Sequence, residues 1–374
     1  MGERIIRFLL GQGSGSRPSV VSLFLLLSLV FAASSAALAE DNDPNDPEST
    51  KRMIRQADRM FRQASYESAA KILRNIVAAD PNNTTAKLRL AHIMIRQRNV
   101  VEGYEMAMPI AQANPQNSYA LAVVGTALLA AGRFSQARPL FFRAIQLNKR
   151  EALAWSGFGM IDFYENRIEE GLLNLKEAVF HDPDHADYIY ALAQVSARAE
   201  RYRDAADAYE RFLDVSKETD DERRARIKGL INFLRYLGNR VSLYTSTGAE
   251  ATSVPFQLVG NRPILQVRIN GRSEPLNFVL DTGSGISVLS EETARRLKVN
   301  AITRGGMAKG IGGDGRFEIV YGFLRELRIG DAQVKNVPVY IRKFHARNQQ
   351  IDGYLGLSVI SKFLTTVDYG ARPF

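Results

Sequence analysis

The sequence predicts two unlike halves in one chain: an all-α array of helical repeats, then an all-β domain. Three observations predict this. From about residue 47 to 219, small and large apolar residues recur at a 34-residue period. The period ends in a polar stretch, Gly238–Ser253, that contains Ser, Thr and Gly. Beyond it come short apolar runs punctuated by glycine, with Asn270-Gly271 as a hairpin signal.

At 374 residues the chain is long enough for two or more domains. Its hydrophobic content of 45% and charged content of 24% are those of a globular protein. The formal net charge is +9, and most of the excess follows Val241, with 17 basic against 11 acidic residues. These charges are dispersed, without a Lys/Arg block or interleaved aromatics, so they read as solvated surface and not as a nucleic-acid site. With no cysteine, the chain has no disulfides, thiolate metal sites or cysteine nucleophile.

The N-terminus opens with Arg4 and Arg7, followed by the charge-free stretch Val20–Ala39 with Leu23-Phe24-Leu25-Leu26-Leu27 as its most apolar part. Ala37-Leu38-Ala39 gives small residues at the spacing of a secretory cleavage site, so residues 1–39 read as a signal peptide and the remainder as exported. About 20 apolar residues also suffice to span a bilayer, so an uncleaved anchor at residues 20–39 is the competing reading. Residues 40–50 form an acidic linker.

The repeats occupy residues 51–240, a capping helix included. Asp80-Pro81-Asn82-Asn83, Asn114-Pro115-Gln116-Asn117 and Asp182-Pro183 fall at the same point of the frame, where proline ends a helix. Gly125, Gly159, Ala137 and Ala205 are small enough for close helix approach; Phe141 and Tyr209 fill the space between units. This pattern resembles the tetratricopeptide repeat, which implies five repeats and a concave face that binds an extended peptide or a partner helix. Asp220–Leu237 reads as the charged amphipathic helix that caps the array. His181-Asp182-Pro183-Asp184-His185 looks like a metal cluster but occupies the inter-repeat turn slot, so it reads as a turn.

After a linker at 241–253, residues 254–374 read as strands. Pro255–Val259, Ile264–Ile269 and the run into Leu280 come first, then a short helix at Glu291–Leu297. Gly310-Ile311-Gly312-Gly313-Asp314-Gly315 follows. Gly310, Gly312 and Gly315 satisfy G-x-G-x-x-G formally, but the motif leads into strand-like Phe317–Val320 instead of a helix, which excludes a dinucleotide loop. It reads as a glycine-rich hairpin. Leu324–Ile329 and Val334–Ile341 are two more strands, Ser358–Phe363 a short helix and Thr365–Tyr369 a last strand.

The stretch that carries chemistry is Leu276–Ser290. An apolar run ends in Asp281, Thr282, Gly283 and Ser284, then apolar residues resume. A carboxylate delivered by a buried strand is costly unless something uses it. Strand-Asp-Thr-Gly-Ser, a glycine-rich hairpin and Tyr354-Leu355-Gly356 occur in that order. Together they resemble a single-domain, retropepsin-like aspartic protease over about residues 250–374, of the bacterial kind joined to tetratricopeptide repeats. The resemblance implies that Asp281 is the catalytic aspartate in a loop with Thr282, Gly283 and Ser284. Gly310, Ile311, Gly312 and Gly313 form the flap, and Tyr354, Leu355 and Gly356 support the catalytic loop.

One aspartate cannot both take a proton from water and give one to a carbonyl oxygen. The chain contains one Asp-Thr-Gly, and Asp352-Gly353 and Asp368-Tyr369-Gly370 lack the required middle residue. The second aspartate therefore has to come from another copy, in a two-fold homodimer through the protease domain. Ser358 departs from the Asp common in related chains, and the chain ends soon after Asp368-Tyr369, where a further strand is expected.

The function so read is an exported aspartic endopeptidase that needs no cofactor or metal, acting on a peptide or protein substrate, with repeats that hold a partner or present substrate. The alternative is a non-catalytic interaction module with a vestigial protease fold. The four histidines, His92, His181, His185 and His345, form no ligand motif with a base, and Gly283-Ser284-Gly285 lacks G-x-S-x-G spacing, which argues against metal and serine hydrolases.

Overall fold

The computed structural model describes residues 46–239, 242–249, 251–309, 316–344 and 351–368. The expected signal peptide and the glycines at 310–313 lie outside the described residues. Among the described residues, no helix is long and apolar enough to cross a membrane.

The first ten helices make five pairs. These are α1 (Pro47–Arg62) with α2 (Tyr66–Ala79), α3 (Thr84–Arg96) with α4 (Val100–Ala113), and α5 (Ser118–Ala130) with α6 (Phe134–Leu147). The last two are α7 (Ala152–Tyr164) with α8 (Ile168–His181) and α9 (Ala186–Arg198) with α10 (Tyr202–Val215). The 34-residue frame is visible in the caps. The second helices of the first four pairs stop at Asp80, Asn114, Asn148 and Asp182. The first helices of the next four begin after Asn83, Asn117, Glu151 and His185. Asn83 and Asn117 accept from the backbone N–H three residues on, each at 3.0 Å, as good N-caps do.

Phe141 shows how the small and large slots work. It is fully buried, and its ring lies against Gly125 and Gly157, where a Cβ would overlap it. Ala137 and Ala205 are likewise fully buried, and Tyr209 is 4% exposed. The small positions therefore permit the approach and the large ones fill it.

The helix after the repeats, α11 (Asp221–Gly238), is capped by Asp220, whose carboxylate accepts from Arg223 N–H at 2.8 Å. Ile227, Ile231 and Leu234 pack on the repeats. Phe233 and Leu237 turn to the β-half, into a cluster with Leu243, Tyr321 and Phe323. Phe233 stacks on Tyr321 at 4.4 Å between centroids. Gly229 sits so close to the backbone of Gly305 that a Cβ would overlap its Cα. The capping helix thus belongs to two cores at once.

The strands are β1 (Thr245–Gly248), β2 (Phe256–Val259), β3 (Arg262–Ile269), β4 (Leu276–Leu280), β5 (Ser287–Ser290), β6 (Thr303–Lys309), β7 (Arg316–Ile329), β8 (Ala332–Arg342) and β9 (Gly353–Leu355). Neighbours run β8-β5-β9-β4-β3-β7, and β7 pairs back with β8. The ring closes into a six-stranded barrel, which leaves no free edge among these strands. Its interior holds Leu265, Val267, Phe278, Leu289, Leu324, Val337, Val339 and Leu355. Two short helices, α12 (Glu291–Arg296) and α13 (Leu357–Ile360), lie beside it.

Four details differ from the sequence reading. Part of the expected linker at 241–253 forms β1, which pairs with Ala332–Lys335 of β8. The expected acidic linker at 40–50 includes the start of α1, where Asp46 caps and Pro47 takes the first helical position. Phe317–Val320 and Leu324–Ile329 are one continuous strand, β7; Gly322 marks no break but a close approach, since a Cβ there would lie 2.8 Å from Ile341. The described residues of the expected last strand, 365–368, are not strand. A strand needs a ladder partner, and residues 365–367 pair with none of the nine described strands; Leu364 before them is wholly exposed.

Candidate active site

Asp281 is the first residue after β4. Val279 and Phe278, 4% and 1% exposed, anchor the strand in the barrel and deliver the carboxylate at its end. The short strand β9 fixes it from both sides. It pairs in parallel with β4, Leu280 beside Leu355, and antiparallel with β5, Val288 beside Tyr354. Asp281 N–H donates to Leu355 O at 3.0 Å. Tyr354 and Leu355 are therefore the direct support of the aspartate.

The loop itself is internally braced. Gly283 N–H donates to Asp281 Oδ1 at 3.0 Å, and Ser284 Oγ–H donates to Ile286 O at 2.8 Å. A Cβ at Gly283 would come within 3.3 Å of that same carboxylate oxygen, so glycine here serves closeness to Asp281. From below, Leu357 N–H donates to Ser284 O at 2.8 Å and Ser358 N–H to Gly285 O at 3.0 Å. Gly356 lies where a Cβ would sit 2.8–2.9 Å from the backbone of Ile286 and Ser284. Any side chain at Gly356 would push the Asp281 loop away from its support. The four residues Asp281, Thr282, Gly283 and Ser284 and the three residues Tyr354, Leu355 and Gly356 thus come together in one unit.

The carboxylate is half-buried, and Thr282, Gly283 and Gly285 are exposed. Among the described residues, its outer side is open. The hairpin that follows, β6–β7, is described only in its arms. Gly310, Ile311, Gly312 and Gly313 lie outside the described residues. The arms are tied to α11: Arg226 donates to Met307 O at 3.0 Å, and Glu222 pairs with Arg316.

Sequence reasoning missed two supports. Asp352 is 4% exposed. Its carboxylate accepts from Asn277 N–H at 2.9 Å, Thr293 Oγ1–H at 2.6 Å and Arg296 at 2.9 Å. Its backbone accepts from Ser290 N–H at 2.7 Å and donates to Asn277 O at 2.9 Å. One residue thereby ties β4, the end of β5 and α12 to β9. The signal was present, a carboxylate inside Ile351-Asp352-Gly353-Tyr354-Leu355. It read as an incomplete Asp-Thr-Gly, although its role is structural. Ser287, fully buried, accepts from Gly356 N–H at 3.0 Å and carries no such signal.

Residues 265–359 match the aspartyl protease family model, and residues 60–126 match a tetratricopeptide repeat model. Subunit 3 of the anaphase-promoting complex of Schizosaccharomyces pombe is 25% identical over 113 residues. That match covers 30% of this chain and only 17% of the relative's length. Among solved structures, TTC0263, a thermophilic tetratricopeptide repeat protein of Thermus thermophilus, is 18% identical with a TM-score of 0.40, over 48% of this chain and 98% of that one. YrrB, a tetratricopeptide repeat protein with an unusual peptide-binding site, is 21% identical with a TM-score of 0.28, over 50% of this chain and 92% of that one. By its two family matches and the order of its elements, the chain is a fusion of a tetratricopeptide repeat region with a retropepsin-like aspartyl protease domain.

Proposed function

We propose that this chain is an exported aspartic endopeptidase whose catalytic pair forms when two copies meet at Asp281. The observation that carries this reading is the Asp281 loop. It is braced by Leu355, Leu357 and Ser358, presents its carboxylate at an open face, and occurs once per chain. Two carboxyls brought within about 3 Å cannot both ionise, so the pair holds one proton between them. The ionised member takes a proton from water, which attacks the peptide carbonyl. The protonated member gives its proton to the carbonyl oxygen. Their titration then belongs to the pair and not to either residue. The open outer side of the loop supports the approach of a second copy. The residues after Ile360, with Leu364 fully exposed, support a terminal segment that finds its ladder partner in that copy.

The repeats fit the holding of a protein or peptide partner beside the protease domain, with α11 as the fixed joint. Export is supported by the N-terminal sequence pattern.

The test is a peptidase assay in the acid range on the wild type and Asp281→Asn. Loss of activity in the variant supports the reading; equal activity in both proteins ends it. Specific activity should also rise with protein concentration across the dimer's dissociation range, and a flat response there refutes the shared pair.

A further inference from the structure

The inner face of the repeat array is bridged by its own side chains. Arg62 in the first pair reaches Asp182 at 3.0 Å. Asp187 in the fifth pair accepts from Tyr66 Oη–H at 2.5 Å and from Arg96 at 2.7 Å. Phe61 packs against His92 and His185, at 4.7 and 5.2 Å between centroids. These contacts join the first two pairs to the last across the groove. Among the described residues, these contacts cross the path that an extended peptide would follow. What remains is a cavity of about 230 Å³.

Three of its lining residues keep polar capacity that the fold around them does not fill. Glu151 and His185 occupy the frame position at which Asn83 and Asn117 cap their helices, yet neither side chain makes a cap bond. An uncapped start weakens a helix. His185, 3% exposed, is held by stacking on Tyr188 at 3.9 Å, and its Nδ1 is buried without a hydrogen-bond partner. A buried unpaired nitrogen is costly unless a bound group completes it. Arg150, exposed at the lip, makes no ion pair among the described residues.

The charges define the occupant. The other cations at this cavity are matched, Arg62 by Asp182 and Arg89 by Asp58 at 2.5 Å. Glu151 accepts from Ser118 Oγ–H at 2.9 Å and makes no ion pair among the described residues; burial pushes its carboxyl above the usual carboxylate range, opposed by the charge of Arg89, which is itself paired with Asp58. One cation and one carboxylate outside any ion pair suit a ligand with both signs. A simple anion would engage Arg150 alone, and a simple cation Glu151 alone. A metal ion is not favoured, since no group of three His, Asp or Glu among the described residues is placed to hold one.

We propose that this cavity binds a short peptide with both termini free: Glu151 pairs with its ammonium, Arg150 with its carboxylate, and His185 Nδ1 hydrogen-bonds its backbone. Phe61, Leu153 and Tyr188 supply apolar wall for a side chain. The proposal rests on the repeats being a peptide-binding element, and it narrows the ligand from an extended chain to a fragment of about the size that peptide cleavage releases. It does not depend on catalysis at Asp281.

The experiment is isothermal titration calorimetry on the full chain carrying Asp281→Asn, so that no peptide is consumed and the cleavage reading is not tested. The probes are the dipeptide Ala-Ala, its N-acetyl form and its C-terminal amide. Saturable binding of Ala-Ala, at least about tenfold weaker once either end is blocked, supports the proposal. Absence of saturable heat at millimolar peptide, or equal binding of the blocked forms, overturns it. Glu151→Asn and His185→Asn restore the residue that caps the earlier repeats. Each should lose affinity at least about tenfold; Glu151→Asn should leave the melting temperature level or higher, whereas His185→Asn also gives up its packing on Tyr188 and Phe61 and is read by affinity alone. Retained affinity in either, or a lowered melting temperature in Glu151→Asn, overturns the assignment. Arg150→Gln, on an exposed side chain, should weaken Ala-Ala to a similar degree; unchanged affinity counts against the site.

Discussion

Replacing Asp352 should unfold the protease domain before it alters any chemistry. Asp352→Ala removes three carboxylate hydrogen bonds at a position 4% exposed. The three donors suffer unequally. Asn277 N–H is left without its acceptor inside the sheet, a loss of about 1–3 kcal/mol. Thr293 keeps its contact with Ser290 Oγ at 2.7 Å, so its loss is nearer about 1 kcal/mol. Arg296 is one-third exposed and keeps Glu274, so the broken ion pair costs less than a fully buried one. Together these give about 3–5 kcal/mol, which lowers the melting temperature of a domain this size by about 10–20 °C. Asp352→Asn retains one acceptor and should lose about half as much. The single tryptophan, Trp155, lies in α7, so its fluorescence reports the repeats alone. Calorimetry resolves the β-domain transition, and hydrogen exchange at β4 and β9 localises it, while Trp155 fluorescence should not change. Asp281→Asn, by contrast, should leave that transition in place. A loss under about 1 kcal/mol in Asp352→Ala would refute the account of Asp352 as the tie between β4 and β9.

Three further outcomes are expected. Burial drives His92 from 6.5 down to about 3, so the folded repeats refuse a proton that the unfolded chain accepts. Repeat stability should therefore be flat above pH 6.5 and fall by about 3 kcal/mol on acidification to pH 4, read as the urea midpoint of Trp155 fluorescence. Burial also lowers His185 and so adds to the fall. Although burial opposes it, Arg96 holds Asp187 at about 2 against an ordinary 3.8, which adds a further loss below pH 4. An equal acid slope in His92→Gln would count against the His92 contribution. Phe141→Ala empties the space between Gly125 and Gly157 and should cost about 3–5 kcal/mol in the same fluorescence transition; a cost below about 1 kcal/mol would show that the helices close over the gap. Gly229→Val drives a side chain into the backbone of Gly305 and should raise hydrogen exchange in 303–309 and 316–321 with the repeats unaffected. Unaltered exchange there would mean that α11 is not seated on the hairpin.

The halves of this chain were not equally open to sequence reasoning, and the reason is physical. Each repeat is built from contacts within a few dozen residues, so Phe141, Gly125 and the Asn-Pro turns declare the frame locally. The Asp281 loop was legible for a similar reason, since Asp281, Thr282 and Gly283 are adjacent and their glycine serves the neighbouring carboxylate. Asp352 was not legible as a support because its partners Asn277, Thr293 and Arg296 lie 56–75 residues away. The docking of α11 was hidden too. A helix that reads as a polar cap spends Phe233 and Leu237 on a second core, which a single-face pattern cannot reveal.

Glu151 and His185 are the converse case. Their departure from the capping Asn is visible in the sequence once the 34-residue frame is aligned, yet it looks like ordinary variation. Only the closure of the groove gives it meaning, by placing both uncapped side chains at one cavity. A local rule broken twice at the same frame position, with both breaks facing the same small space, is the pattern expected where stability yields to binding.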